Sequence, residues 1–153
     1  MIEYPIYLPA PLLSGYELST ADPTLRTQLV TGRARQRRRY TSVPTFANCT
    51  WLMDARQAAF FEAWYKRVLL DGSQWFTCRI KTTETATGTI DHICRFVGFY
   101  SGPTLTARER WSFTATLELR DRPLMPEGWE QFPDFWFNSD IIDLAINREW
   151  PEA

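Results

Sequence analysis

The feature that most constrains the fold is a regular alternation of apolar and polar residues from Arg110 to Arg120. Its apolar positions are Trp111, Phe113, Ala115, Leu117 and Leu119. Successive side chains of a β-strand point to opposite faces, so a period of two predicts a strand with one buried face. Antiparallel sheets commonly bury one face and leave the other to solvent or to a partner. We therefore expect an antiparallel sheet that buries these side chains.

One amphipathic helix is predicted over about 54–70. Asp54 can cap its N-terminus, and Gln57 completes a capping box in which side chains and backbone N–H groups bond reciprocally. Asp71-Gly72 is expected to end the helix, because glycine adopts the left-handed conformation common there. The apolar face repeats at helical spacing and comprises Phe60, Phe61, Trp64, Tyr65, Val68 and Leu69.

Further strands are predicted over 40–52, 74–81 and 90–100, with Pro44 bounding or disturbing the first and Gly98 marking a bulge in the last. A turn at 101–103 and a polar loop to residue 109 follow. The predicted fold class is α+β, mainly β. It takes the form of an antiparallel β-sandwich or barrel with one packed helix.

The length of 153 residues predicts a single domain, 1–153. Its parts are an N-terminal arm (1–30), a β-core with the helix (31–122) and an acidic, aromatic C-terminal arm (123–153). The N-terminal arm is rich in proline and is expected to hold one short strand. Both arms are apolar enough to need cover from this domain or a neighbouring subunit. A short helix or strand is predicted over 139–147.

No apolar run reaches the roughly 18 residues of a transmembrane helix, so no membrane association is expected. The first residues lack the basic stretch of a signal peptide and are interrupted by prolines. Cys49, Cys78 and Cys94 are widely spaced without a Cys-x-x-Cys motif, and we interpret them as reduced, structural thiols. Both features favour assembly in a reducing cytoplasm.

The sequence offers little for catalysis. His92 is the sole histidine and falls in a predicted strand, where we interpret it as a residue with satisfied hydrogen bonds. No phosphate-binding, dinucleotide-binding or metalloprotease motif occurs, and no carboxylate pair is singled out by its spacing. We therefore predict no enzymatic activity, no cofactor and no metal site.

Charge is segregated along the chain. Residues 1–120 carry 15 basic and 10 acidic side chains, whereas residues 121–153 carry two basic and eight acidic ones. Five arginines fall between Arg33 and Arg39. This cluster could bind nucleic acid, with Tyr40 stacking on a base; it could contact the acidic arm of the same or an adjacent subunit; or it could be a solvated loop. Subunit contact is the favoured interpretation.

The order of elements resembles that of the small minor tail proteins of long-tailed bacteriophages, found at the distal tail and tail tip. The resemblance covers about 30–122: an arginine-rich segment and strand, a helix with Ala58-Ala59-Phe60-Phe61-Glu62-Ala63-Trp64-Tyr65, then Asp71-Gly72-Ser73 before Trp75-Phe76, and the strand of residues 111–119. It implies a β-sandwich of tail-tube type. Neither arm matches the family.

The resemblance implies a structural virion protein that forms a ring, trimeric or hexameric, and joins the tail tube to the tip hub. Its partners would be copies of itself and neighbouring tail proteins, in the virion tail after assembly in the host cytoplasm. A head–tail connector or tail-completion ring is the alternative within this class, and a nucleic-acid-binding module using Arg33 to Arg39 is the alternative outside it. The predicted subunit-interface residues are Arg33, Arg35, Arg37, Arg38, Arg39, Trp129, Phe135 and Trp136.

Overall fold

The computed structural model describes residues 1–84, 88–106 and 108–138. The strands are β1 (Ile2–Glu3), β2 (Glu17–Thr20), β3 (Thr24–Thr27), β4 (Arg35–Arg38), β5 (Thr45–Met53), β6 (Phe76–Ile80), β7 (Ile90–Phe96), β8 (Ser101–Thr106) and β9 (Arg110–Leu119). The helices are α1 (Ala55–Arg67), a 3-10 helix (Trp129–Gln131) and α2 (Pro133–Phe137). The class α+β, mainly β, is confirmed. The element predicted over 139–147 lies outside the described residues.

Seven strands form one sheet in the order β1-β6-β7-β9-β5-β2, with β8 paired to β9. The β1–β6 pair is parallel and the other pairs are antiparallel. The central strand is β9, since β5 pairs along one side of it while β7 and β8 pair in succession along the other. The predicted sandwich or barrel is not confirmed, and the strands in the described ranges do not close into a barrel.

A bulge separates β7 from β8. The pairing of β7 ends opposite Leu117 and that of β8 begins opposite Thr114, so the four residues 97–100 face only two residues of β9. Gly98 lies in this bulge with a φ of 76°, which confirms the bulge predicted there.

The turn predicted over 101–103 is wrong, and so is the first part of the polar loop, because residues 101–106 form β8. Arg108 and Glu109 do lie in a turn before β9. The Gly102-Pro103 pair suggested a turn, but it lies within the edge strand of this pairing. Five of the six side chains of β8 are exposed. An edge strand with both faces exposed needs no alternation of apolar and polar residues. For this reason the sequence pattern did not predict β8.

The helix α1 begins as predicted. Asp54 Oδ1 accepts a hydrogen bond from the Gln57 backbone N–H (2.8 Å), and Gln57 Oε1 accepts one from the Asp54 N–H (3.1 Å), which confirms the capping box. The helix ends at Arg67, three residues before the predicted end. Residues 70–72 then all have positive φ, with Gly72 at 81°.

The core lies between α1 and one face of the sheet. Alternate residues of β5 are buried, as are the predicted inward residues of β9 from Phe113 to Leu119. The Trp51 and Phe113 rings of these strands contact Phe61 of the helix. Trp111, also predicted to face inward, is only partly buried. Phe60 and Val68 were assigned to the buried helix face, but they are 49% and 44% exposed. The buried face of α1 is therefore narrower than the apolar face predicted from the sequence. Its buried residues are Ala58, Phe61, Trp64 and Tyr65.

The other face of the sheet is polar. Arg95 donates to Glu118 (2.7 Å) and lies over the Trp75 ring at 4.6 Å. Arg79 pairs with Asp91 at 3.3 Å. Arg79 and Arg95 therefore have carboxylate partners.

The first 20 residues add two edge strands to the sheet, where one short strand was expected over 1–25. Leu8 is buried in the core, and the Tyr4 ring meets Trp64 edge-on at 5.7 Å. Ile6 and Tyr7 nevertheless remain more than 80% exposed. The N-terminal segment thus covers the body of this domain with some of its apolar side chains and leaves others uncovered.

Candidate interaction surfaces

His92 is a partnered residue of β7, as predicted. Its Nε2 lies 3.2 Å from Thr82 Oγ1 and 3.4 Å from Glu84 Oε1. In the described ranges, no group of three histidine, cysteine or carboxylate side chains is placed to hold a metal ion.

The three cysteines are buried and unpaired as disulfides. Burial raises the pKa of the Cys49 thiol to about 12. The pKa of Cys94 is raised by its hydrogen bond with Cys78 and by burial. The thiolate is the reactive form, so Cys49 and Cys94 are poor nucleophiles at neutral pH.

We expect a thiol reagent at mildly alkaline pH to label the native protein at least about 100-fold more slowly than the unfolded protein, because all three thiols are buried and the raised pKa values of Cys49 and Cys94 keep those two protonated. Mass spectrometry would count the labels with time, and the same protein in concentrated guanidinium chloride serves as the control. Rapid labelling of one native cysteine would show that its position is accessible and contradict its burial.

The arginine cluster lies on a β-hairpin formed by β3 and β4, which we call the arginine hairpin (24–40). Asp22 Oδ1 accepts hydrogen bonds from the backbone N–H and the hydroxyl of Thr24, which orders the entry to β3. The Arg39 N–H donates to the Pro23 carbonyl at 2.7 Å and closes the base of the hairpin. At the other end, Gly32 supplies a φ of 95° in the connecting loop.

The pairing register divides the arginines between two faces. Leu25 lies opposite Arg37 and Thr27 opposite Arg35, so these four side chains share one face. Arg26, paired with Gln36, lies on the other face together with Arg38. Arg33 is in the connecting loop, and the Arg39 guanidinium lies 5.1 Å from the centre of the Tyr40 ring. The predicted cluster is therefore not one continuous basic patch.

The arginine hairpin carries six arginines and no acidic residue. No ion pair joins these arginines to any carboxylate among the described residues. The connecting loop also exposes Leu29 (52%) and Val30 (104%), which the sequence reasoning missed. They are an isolated adjacent pair between Gln28 and Thr31, so no periodicity marked them as a surface.

The second surface is the C-terminal segment (124–138), which holds the remaining predicted interface residues. Gly128, with a φ of 97°, precedes the 3-10 helix, and its N–H donates to Glu130 Oε2 at 2.8 Å. Pro133 is the first residue of α2. The backbone N–H at this position has no acceptor within a helix, so the N–H that proline lacks is not missed there. These two turns of helix fold the segment back on itself.

The aromatic residues of the C-terminal segment contact one another. The Trp129 and Trp136 rings are 5.9 Å apart, and those of Phe132 and Phe135 are 6.3 Å apart. Phe132 and Phe135 remain 56% and 70% exposed. A surface cavity of about 490 Å³ is lined by Glu127, Gly128, Trp129, Phe132 and Phe135. The exposure of so many aromatic groups in 15 residues is typical of a surface that binds another chain.

The structure therefore places the predicted interface residues on two separate segments, the arginine hairpin and the C-terminal segment. Arg35 and Arg37 line one cavity on the arginine hairpin, and Trp129 and Phe135 line another on the C-terminal segment. Phe132 belongs to the second surface but was not predicted to do so. No described hydrogen bond joins the two surfaces within the chain.

In comparisons with protein-family models, curated proteins and solved structures, nothing matches this chain. The comparisons thus give no support to the resemblance to phage tail proteins, which stays a prediction from the sequence pattern. Within the described ranges, no helix has the length and hydropathy needed to span a membrane.

Proposed function

We propose that this chain is a structural protein of a phage tail that forms a ring at the distal tail or tail tip and links the tail tube to the tip hub. The main support is the pair of surfaces of opposite charge. The arginine hairpin has six basic residues and no acid, while the C-terminal segment has three acids and no basic residue. Different, complementary surfaces on one chain can join copies head to tail and close a ring.

The fold is part of this proposal. The resemblance implies a helix packed on a β-sandwich of tail-tube type. The support for a relationship to the tail-tube fold, which we propose, is the one helix packed on a mainly antiparallel sheet. The proposal includes no catalytic activity or cofactor. It places the protein in the virion tail after assembly in the host cytoplasm, with itself and neighbouring tail proteins as partners. A head–tail connector or tail-completion ring would use the same two surfaces and is the alternative within this class.

Nucleic-acid binding is the alternative from another class. The observation that favours it is the absence of any ion pair between the hairpin arginines and the described carboxylates, since such arginines are free to contact phosphates. Tyr40, half exposed beside Arg39, could stack on a base.

Light scattering after gel filtration, with absorbance at 260 and 280 nm, tests these functions. We expect a trimer or hexamer free of nucleic acid, alone or after co-expression with neighbouring tail proteins. A monomer under both conditions would contradict the proposal. A species rich in nucleic acid that becomes a monomer in high salt would favour the alternative. In that case the variant R37S/R38S/R39S should flatten the salt dependence of binding.

A further inference from the structure

A cavity on the arginine hairpin has a lining suited to an aromatic side chain. It measures about 270 Å³ and is lined by Thr27, Leu29, Arg35 and Arg37. Guanidinium groups stack on aromatic faces and pair with carboxylates. A cavity with two of them and one leucine therefore favours an aromatic ring flanked by acidic groups.

The register explains why this cavity has two guanidinium groups. Arg35 and Arg37 alternate with Gln36 along β4, so both side chains extend from the same face of the hairpin. Arg26 and Arg38 extend from the opposite face, away from the cavity. Each face of the hairpin therefore carries two arginines of the paired strands, and the cavity lies on the face of Arg35 and Arg37.

The C-terminal segment presents the complementary chemistry. Phe135 is 70% exposed and follows directly after Asp134, and Glu130 lies four residues before Asp134, in the neighbouring 3-10 helix. An aromatic ring next to carboxylates would fill the apolar part of the cavity and pair with its arginines. Because one surface is purely basic and the other purely acidic, their contact is also favoured at longer range.

We propose that the cavity on the arginine hairpin binds the Phe135 side chain of a second copy of this chain, with Asp134 and Glu130 of that copy paired to Arg35 and Arg37. This inference rests on the proposed function, in which copies of the chain form a ring. It adds the location and the chemistry of the contact between neighbours. A hairpin of one copy and a C-terminal segment of the next form a head-to-tail contact, the type from which rings are built.

Disulfide trapping between two variants tests this contact. We would mix the single variants L29C and Q131C under mild oxidation, with the native cysteines shielded by burial. Gln131 is exposed and adjacent to Glu130, so Q131C keeps the docking residues Phe135, Asp134 and Glu130. A disulfide-linked dimer is expected, because docking brings the two thiols together. The matched control is L105C mixed with Q131C, since Leu105 on β8 is exposed to a similar extent as Leu29 (58% against 52%). We expect about tenfold more dimer from the L29C mixture, owing to the higher effective concentration.

Charge reversal then identifies the face of the hairpin. R35E/R37E introduced with L29C should reduce the dimer yield to that of the L105C control. R26E/R38E changes the net charge equally but on the opposite face, and it should leave most of the dimer. Adding E130R/D134R to the Q131C chain should restore the yield with R35E/R37E. Equal losses from the two hairpin variants would overturn the proposal.

Other outcomes separate this inference from the proposed function. Rings seen by light scattering without the L29C–Q131C disulfide would overturn the contact but not the ring. A monomer without the disulfide would overturn both. A disulfide that forms only within the double variant L29C/Q131C, as a monomer, would place the contact within one chain and overturn the role of a second copy. Salt-dependent binding of single-stranded DNA that is lost in R35E/R37E, with no disulfide, would assign the cavity to nucleic acid instead.

Discussion

Replacing Phe61 by Ala is expected to lower the free energy of unfolding by about 3–5 kcal/mol. Phe61 is fully buried and packs against aromatic rings from the helix, the sheet and the bulge. The rings within contact distance are Trp51, Trp64, Tyr65, Phe96, Tyr100 and Phe113, the nearest at 4.9 Å. Removal of this ring leaves a cavity that several elements would have to fill together, and such cavities collapse incompletely.

Phe60→Ala is the matched control, because Phe60 is the adjacent helix residue and is 49% exposed. We expect it to cost less than about 1 kcal/mol. Urea unfolding, followed by circular dichroism and tryptophan fluorescence, gives both free energies. If Phe61→Ala does not fold, Phe61→Leu keeps most of the apolar volume and should still be less stable than Phe60→Ala. Similar losses at the two positions would mean that the buried face of α1 is assigned wrongly.

Gly72→Ala is the second substitution with a large expected effect. A Cβ at Gly72 would lie 2.7 Å from the Tyr65 hydroxyl oxygen and 2.9 Å from two ring carbons. The Tyr65 ring cannot easily move, since it is 1% exposed and its hydroxyl donates to the Gly98 carbonyl at 3.1 Å. The left-handed backbone at a φ of 81° adds a penalty of about 1–2 kcal/mol for any L-residue. The steric clash should add about 1–3 kcal/mol.

Gly15→Ala is the control that separates the backbone penalty from the steric clash. Gly15 has a similar φ of 73° but no atom within 4 Å of a Cβ, so only the backbone penalty applies. We therefore expect Gly72→Ala to be about 1–3 kcal/mol less stable than Gly15→Ala in urea unfolding. Equal stability of the two variants would show that Tyr65 yields without cost, contrary to its packing between the helix and the bulge.

Much of the fold follows from local patterns. The strand from Arg110 to Leu119, the capping box of Asp54 and Gln57, and the bulge at Gly98 were all predictable, because each depends on residues close in sequence. The strand β8 was not, since its exposed side chains carry no alternation. Phe60 is apolar and has helical spacing, yet only the tertiary packing decides that Phe61 and Trp64 take the core instead.

The candidate surfaces were predicted in composition but not in geometry. The charge of Arg35 and Arg37 was evident, whereas their common face depends on the register between β3 and β4. That register is set by the turn and by the closing hydrogen bonds at Pro23, which the sequence alone did not specify. Leu29 became a candidate only because the hairpin leaves it exposed beside these arginines.

The position of β9 has a consequence for how the chain folds during synthesis. This central strand comes from residues 110–119 and links β5, β7 and β8, which precede it in the chain. Residues 110–119 must therefore be synthesised before the middle of the sheet can form, and contacts between distant segments slow folding. Before β9 pairs, the core residues Trp51, Phe61 and Phe96 lie on elements that no central strand yet joins. Chaperone protection should thus matter most until β9 has left the ribosome.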